Sequence, residues 1–68
     1  MDDVRAQPVK FAVVEVVRID RLVAICRIGN RLVAVPTSRM LSGTDIANVR
    51  DRGRLVIGRE LAADLGLM

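Results

Sequence analysis

Between Val9 and Ile19 the chain reads VKFAVVEVVRI, and alternate positions sort it into two sides. Val9, Phe11, Val13, Val17 and Ile19 fall on one side of an extended chain, interrupted only by Glu15; Lys10, Ala12, Val14, Val16 and Arg18 fall on the other. The β-branched content predicts a strand. Because both sides are apolar in the middle, it also predicts burial on two sides, in a closed barrel or at a subunit interface. After a short turn at Asp20 comes a second strand, RLVAICRI, and Gly29-Asn30 then separates it from RLVAVP as a tight-hairpin signal. Pro36 has no N–H to give to a ladder and ends the third strand.

Beyond Pro36, TSRMLSG predicts one short helical turn, with Thr37 or Ser38 as its cap and Gly43 as its stop. TDIANVRD is a weak fourth strand or an extended loop, and GRLVI is the fifth strand. RELAADLGL predicts a helix of about two turns in which Leu61, Leu65 and Met68, at i, i+4 and i+7, share the buried face. Glu60 suits the first turn of that helix and Gly66 a left-handed C-cap. NRLVAVPTSRMLSG (residues 30–43) echoes GRLVIGRELAADLG (residues 53–66); a true duplication would place two similar strand-to-helix units around one core. The expectation is a mainly β, barrel-like domain of about five short strands with a short C-terminal α-helix. It occupies residues 9–68 behind a loose N-terminal arm of residues 1–8.

Size adds a constraint. Domains of roughly 60 residues bury only about 60% of the surface their unfolded chain exposes, and most need a staple. With one cysteine and no histidine in 68 residues, neither an internal disulfide nor a common zinc spacing is available, and no metal or cofactor is expected. Yet 51% of the residues are apolar, more than one small core holds comfortably. Self-association is the expected staple, with a homodimer the default.

Charge narrows the partners. The formal charge is only +3, but of the eleven basic residues all except Lys10 are arginine, whose planar fork matches phosphate and carboxylate. Arginines 18, 21, 27 and 31 interrupt every apolar run before the roughly 18 residues of a membrane span. The start, MDDVRAQP, is polar and acidic rather than leader-like, so a cytoplasmic protein with a reduced thiol is expected.

Catalysis has little to work with. General acid–base chemistry most often uses histidine, which is absent. Cys26 alternates with Leu22, Ala24 and Ile28 and reads as a buried small hydrophobe rather than a nucleophile. Glu15, alone in its apolar strand, reads as the cross-strand partner of an arginine such as Arg21 or Arg27. The glycines at 29, 43, 53, 58 and 66 are scattered at turns and caps, not gathered in a phosphate loop. The chain reads as non-enzymatic.

The arginines are what remains. Arg50, Arg52 and Arg54 alternate through VRDRGRLV, with Arg59 a little further on. In one continuous strand the three share a face; in a hairpin cornered at Gly53, Arg52 and Arg54 still project together. Such a cluster suits phosphate, the main source of non-specific nucleic-acid affinity. A solvated basic edge that discourages strand aggregation is the plainer reading, and Asp45 and Asp51 dilute the patch. Without Trp or Tyr, and with Phe11 the sole aromatic, the stacking platforms of single-strand binders are missing, so duplex DNA fits best.

VRDRGRLVIGRELAADLGL, Val49 to Leu67, resembles the signature of the AbrB/MazE/SpoVT-type swapped-hairpin DNA-binding proteins, in which a GR-hydrophobic-V-I-P strand leads into an E-L-x-x-x-L-G helix; Gly58 stands here where the family has the proline. Gly53, Arg54, Val56, Ile57, Glu60, Leu61, Leu65 and Gly66 carry the likeness. It implies two chains interlocking hairpins into one barrel, a homodimeric transcriptional regulator, and DNA contacts at Arg50, Arg52 and Arg54, to which Arg59 is added as a candidate. VVEVVRIDRLVAICRIGNRLVAVPTSRML is similar in layout to the first three strands of an OB-fold barrel of the translation initiation factor one kind, which implies RNA instead. A third reading, from another class, is a protein–protein assembly module or structural subunit. In it the apolar strands and terminal helix dock a larger partner and the arginines serve solubility.

Overall fold

The computed structural model describes residues 7–68. Its strands are β1 (Pro8–Asp20), β2 (Val23–Ile28), β3 (Arg31–Pro36) and β4 (Arg52–Gly58). A 3-10 turn (Thr37–Arg39) follows β3, and an α-helix, α1 (Arg59–Asp64), follows β4. The strands form one antiparallel sheet in the order β3-β2-β1-β4. Of the expected N-terminal arm, residues 1–6 lie outside the described residues, and Pro8 already opens β1.

β1 is the strand shared by the whole sheet. Its first part pairs with β4, from Pro8↔Gly58 to Glu15↔Arg52, and its second with β2, from Val14↔Ile28 to Asp20↔Val23. The pairing shifts register twice, between Phe11 and Val14 against β4 and between Val16 and Arg18 against β2. Each shift sets an extra residue against the partner strand, a bulge that bends the strand and resets which side faces the core. The two-sided burial expected of this strand therefore does not occur. Val14 and Val16 are buried, while Val13 is 73% exposed on the opposite face, where unbroken alternation had grouped it with half-buried Phe11. Val17 and Ile19 are also partly open.

The expected closed barrel of five strands is likewise corrected: among the described residues there are four, and the sheet stays open. Residues 44–51, the weak fourth strand of the sequence reading, form no strand. After β3 the chain crosses to the outer edge of β4, touches it through the single bridge Met40↔Ile57, and turns at Gly43, whose φ is 98°. The attachment beyond the bridge is irregular. Leu41 N–H donates to the Val56 carbonyl (2.8 Å) and Asp45 N–H to that of Arg54 (2.7 Å). Between them the Thr44 hydroxyl stands in for a strand backbone, accepting from Val56 N–H (3.0 Å) and donating to Val56 O (3.2 Å). These contacts cover the edge of β4 without supplying the ladder that closure requires.

The core lies between the inner sheet face and α1. Val14, Val16, Ala24, Cys26, Val33, Val35, Leu55 and Ile57 meet Leu61 and Ala62 of the helix and Ile46 of the crossing segment. α1 stops as its sequence predicts: with Gly66 at φ 75°, Gly66 N–H donates to Ala63 O (3.0 Å) and Leu67 N–H to Ala62 O (2.9 Å), a Schellman cap. Met68, expected on the buried face, is 58% exposed because this cap ends the helical phase; partly buried Leu65 and Leu67 pack against the core. Arg31 reaches from β3 to the Gly66 carbonyl (2.8 Å), placing a cation at the negative end of the helix, where Asp64 alone would be unfavourable. The echoed segments do not make two like units: β3 and β4 sit at opposite ends of the sheet, and only β4 leads into an α-helix.

Candidate functional site

The arginines singled out in sequence enter the fold by different routes. β4 begins at Arg52, and Gly53 lies within the strand rather than at a hairpin corner. It sits tight against the crossing segment; a Cβ there would meet the Asp45 carbonyl at 3.1 Å. Arg52 and Arg54 thus share the outer face of β4 by simple alternation. Arg50 precedes the strand in a turn with φ 75°, a conformation sparsely populated by non-glycine residues.

That turn is tied down on every side. Arg50 N–H donates to Val16 O (2.7 Å), and Val16 N–H donates back to Asp51 O (2.9 Å). The Asp51 carboxylate accepts from the N–H groups of Asn48 (2.7 Å) and Ala47 (2.8 Å), and these bonds, that of Asn48 foremost, hold its pKa below the ordinary carboxylate value. Asp51 is thereby occupied with backbone. Neither it nor Asp45 forms an ion pair with an arginine among the described residues.

On the outer sheet face one row crosses three strands. Glu15 lies opposite Arg52 on β4 and opposite Arg27 on β2. Its carboxylate stands 3.4 Å from Arg27 and 3.6 Å from Arg52; of the two partners expected from the sequence, Arg21 and Arg27, it is Arg27 that pairs with it. With Val13 and Gly29 these three line an open concavity of about 330 Å³. Arg27, expected from the sequence only as a partner for Glu15, joins Arg52 on this face as a functional candidate. The turn at residues 21–22 alone would set Arg27 opposite Val16; the bulge between Val16 and Arg18 moves the pairing by one residue and brings Arg27 opposite Glu15.

Arg54 donates through Nε to the Gly43 carbonyl (2.8 Å), which fixes its stem across the edge of β4 and leaves the other guanidinium N–H groups for a ligand. Arg59 is exposed at the first position of α1. It lies five residues past Arg54, roughly 16 Å further along the strand axis, so the fold does not gather it with the others. Among the described residues, Glu15 is the one carboxylate paired with Arg27 or Arg52, and none pairs with Arg50, Arg54 or Arg59.

Cys26 is fully buried, its thiol 3.7 Å from the Ala24 carbonyl, and burial pushes its pKa up, the reverse of what a nucleophile needs. No group of three or more potential metal ligands occurs among the described residues, and no helix there is long and apolar enough to cross a membrane. No protein-family profile, curated protein or solved structure matches the chain.

Proposed function

We propose that this chain is a small nucleic-acid-binding protein of the regulator kind. It takes duplex DNA through phosphate contacts at Arg50, Arg52 and Arg54, with Arg27 joining them from β2, and it self-associates. The observation that carries this reading is the concentration of exposed guanidiniums at the entry to β4 against a single shared carboxylate, Glu15. The strained turn at Arg50 supports it, since backbone held in a sparse conformation by several bonds is a common mark of a functional position. β4 running directly into α1 is the strand-to-helix order that the AbrB-type resemblance implies. Phe11, the sole aromatic, packs against the core and is not free to stack on bases, which favours a duplex over an unpaired strand.

The test is a salt series with labelled duplex, the parent beside Arg52→Ala/Arg54→Ala. Each neutralised phosphate contributes a log–log slope near −0.9 on duplex DNA, so the double variant should lose about 1.8 of slope together with affinity. Equal binding by variant and parent would remove the site.

A second reading, a docking module for a larger protein, draws on the exposed apolar side chains Val13 (73%), Leu22 (73%) and Leu32 (58%). Binding that ignores salt and survives the arginine substitutions would select it.

A further inference from the structure

β3 ends the sheet on one side, and its backbone has an unpaired edge. Gly29-Asn30 is a two-residue turn with Gly29 at φ 61°, so Ile28 and Arg31, which flank it, form the hydrogen-bonded closing pair of the hairpin. Alternation then directs the amides of Arg31, Val33 and Val35 toward β2 and those of Leu32 and Ala34 outward. Pro36 occupies the next outward position, where its missing N–H takes nothing from the ladder with β2. Among the described residues no backbone hydrogen bond reaches the outward groups. Leu32 and Ala34 are both exposed.

We propose that this edge pairs with β3 of a second copy, antiparallel about a two-fold axis at Val33, joining the two sheets into one. In that register Leu32 exchanges both backbone bonds with Ala34 of the second copy, and Ala34 with its Leu32. The side chains fit the same symmetry. On the outer face each large Leu32 stands beside a small Ala34, and on the inner face Val33 meets its own copy, extending the buried row it already belongs to. No like charges oppose one another: Arg31 falls opposite Val35, and its guanidinium is already held by the Gly66 carbonyl. Pro36 limits the pairing at both ends, so the contact is short, self-complementary and closed.

The alternative to use is protection, and along this edge it is confined to Pro36 at the end of the strand. Proteins blunt free edges with charges, bulges or a covering segment. The outer edge of β4 has such a cover in residues 40–45, whereas the outward positions of β3 carry leucine and alanine. This inference deepens the self-association in the functional reading and is independent of the polyanion.

Two measurements on the full chain without DNA test it. Sedimentation should give a species near 15 kDa, twice the 7.5 kDa chain, at micromolar concentration. Leu32→Lys should return it to the monomer with its circular dichroism unchanged. Amide exchange on the parent, which needs no variant, should show Leu32 and Ala34 slowing at least tenfold as concentration rises through dimerisation, while Val33 and Val35 stay protected throughout. A parent that remains monomeric, or a dimer in which the Leu32 and Ala34 amides exchange as fast as in the monomer, overturns the proposal. So does a dimer that survives Leu32→Lys. Each of these leaves the duplex titration to stand or fall separately.

Discussion

Glu15 faces two guanidiniums and binds neither closely, at 3.4 Å from Arg27 and 3.6 Å from Arg52. An acid so placed competes with phosphate for both, which makes it a brake on the proposed interface. Glu15→Gln should therefore raise duplex affinity roughly two- to fivefold at low salt, the scale of an exposed ion pair, and steepen the salt dependence. Weaker binding by this variant would show that Glu15 orients the arginines instead of restraining them. Asp51 acts on the same surface through the backbone. Its depressed pKa means that the carboxylate's contribution to stability is present above the ordinary carboxylate range and is lost as pH falls below about 4. Thermal melts should show the parent losing stability through that window and Asp51→Asn losing less of it; equal acid sensitivity would dissociate Asp51 from the turn. At this scale the sequence was legible in its chemistry, since a lone acid in an apolar strand called for an arginine across the β1–β2 hairpin, while the choice of Arg27 over Arg21 rests on the bulge between Val16 and Arg18. The partnership of Glu15 with Arg52 was not, because it spans chain segments joined only by the β1–β4 pairing. Nothing local foretells φ 75° at Arg50, since arginine has no preference for that region.

At the level of elements, the cover over β4 hangs on a side chain. Thr44 completes both polar groups of Val56, and Val56 itself is only 1% exposed. Thr44→Val keeps the shape and leaves the buried Val56 N–H without a partner, while the carbonyl keeps its bond from Leu41 N–H, at a destabilisation of about 1–3 kcal/mol for a lost buried partner. Thermal or chemical denaturation checks this, and Thr44→Ser, which keeps the hydroxyl, should recover most of the loss. Strand and helix positions were readable because valine-rich runs, Gly29-Asn30, Pro36 and Gly66 are local signals. What escaped was the phase of β1. Its bulges contain no glycine, so unbroken alternation puts Phe11 on the side of Val13 and Glu15, whereas the bulge places it with Val14 toward the core. The crossing segment carries no readable signal for a related reason: its order comes from β4 beneath it rather than from any periodicity of its own.

Across the whole molecule the core is a thin layer of valine-sized groups, with Leu55 and Ile57 the largest side chains fully buried. Such an interior has little reserve, as small domains generally do. Ile57→Val should lower stability by about 1 kcal/mol and Tm by about 4–8 °C. An unchanged Tm would mean that the site collapses around the missing methyl. The mainly β class was legible from composition and periodicity, but closure was not, because whether a sheet seals depends on how its ends meet, and that is recorded in no single stretch of residues.

The two register shifts of β1 also determine where this protein tolerates changes in chain length. At Ala12–Val13 and at Val17 the strand holds one residue more than its neighbour opposite. Dropping that spare residue would leave Phe11, Val14, Val16 and Ile19 pointing as they do now. A deletion elsewhere in the paired part of the strand would turn everything on one side of it inside out. Natural variants a residue shorter in this strand should thus have lost it at one of these two places.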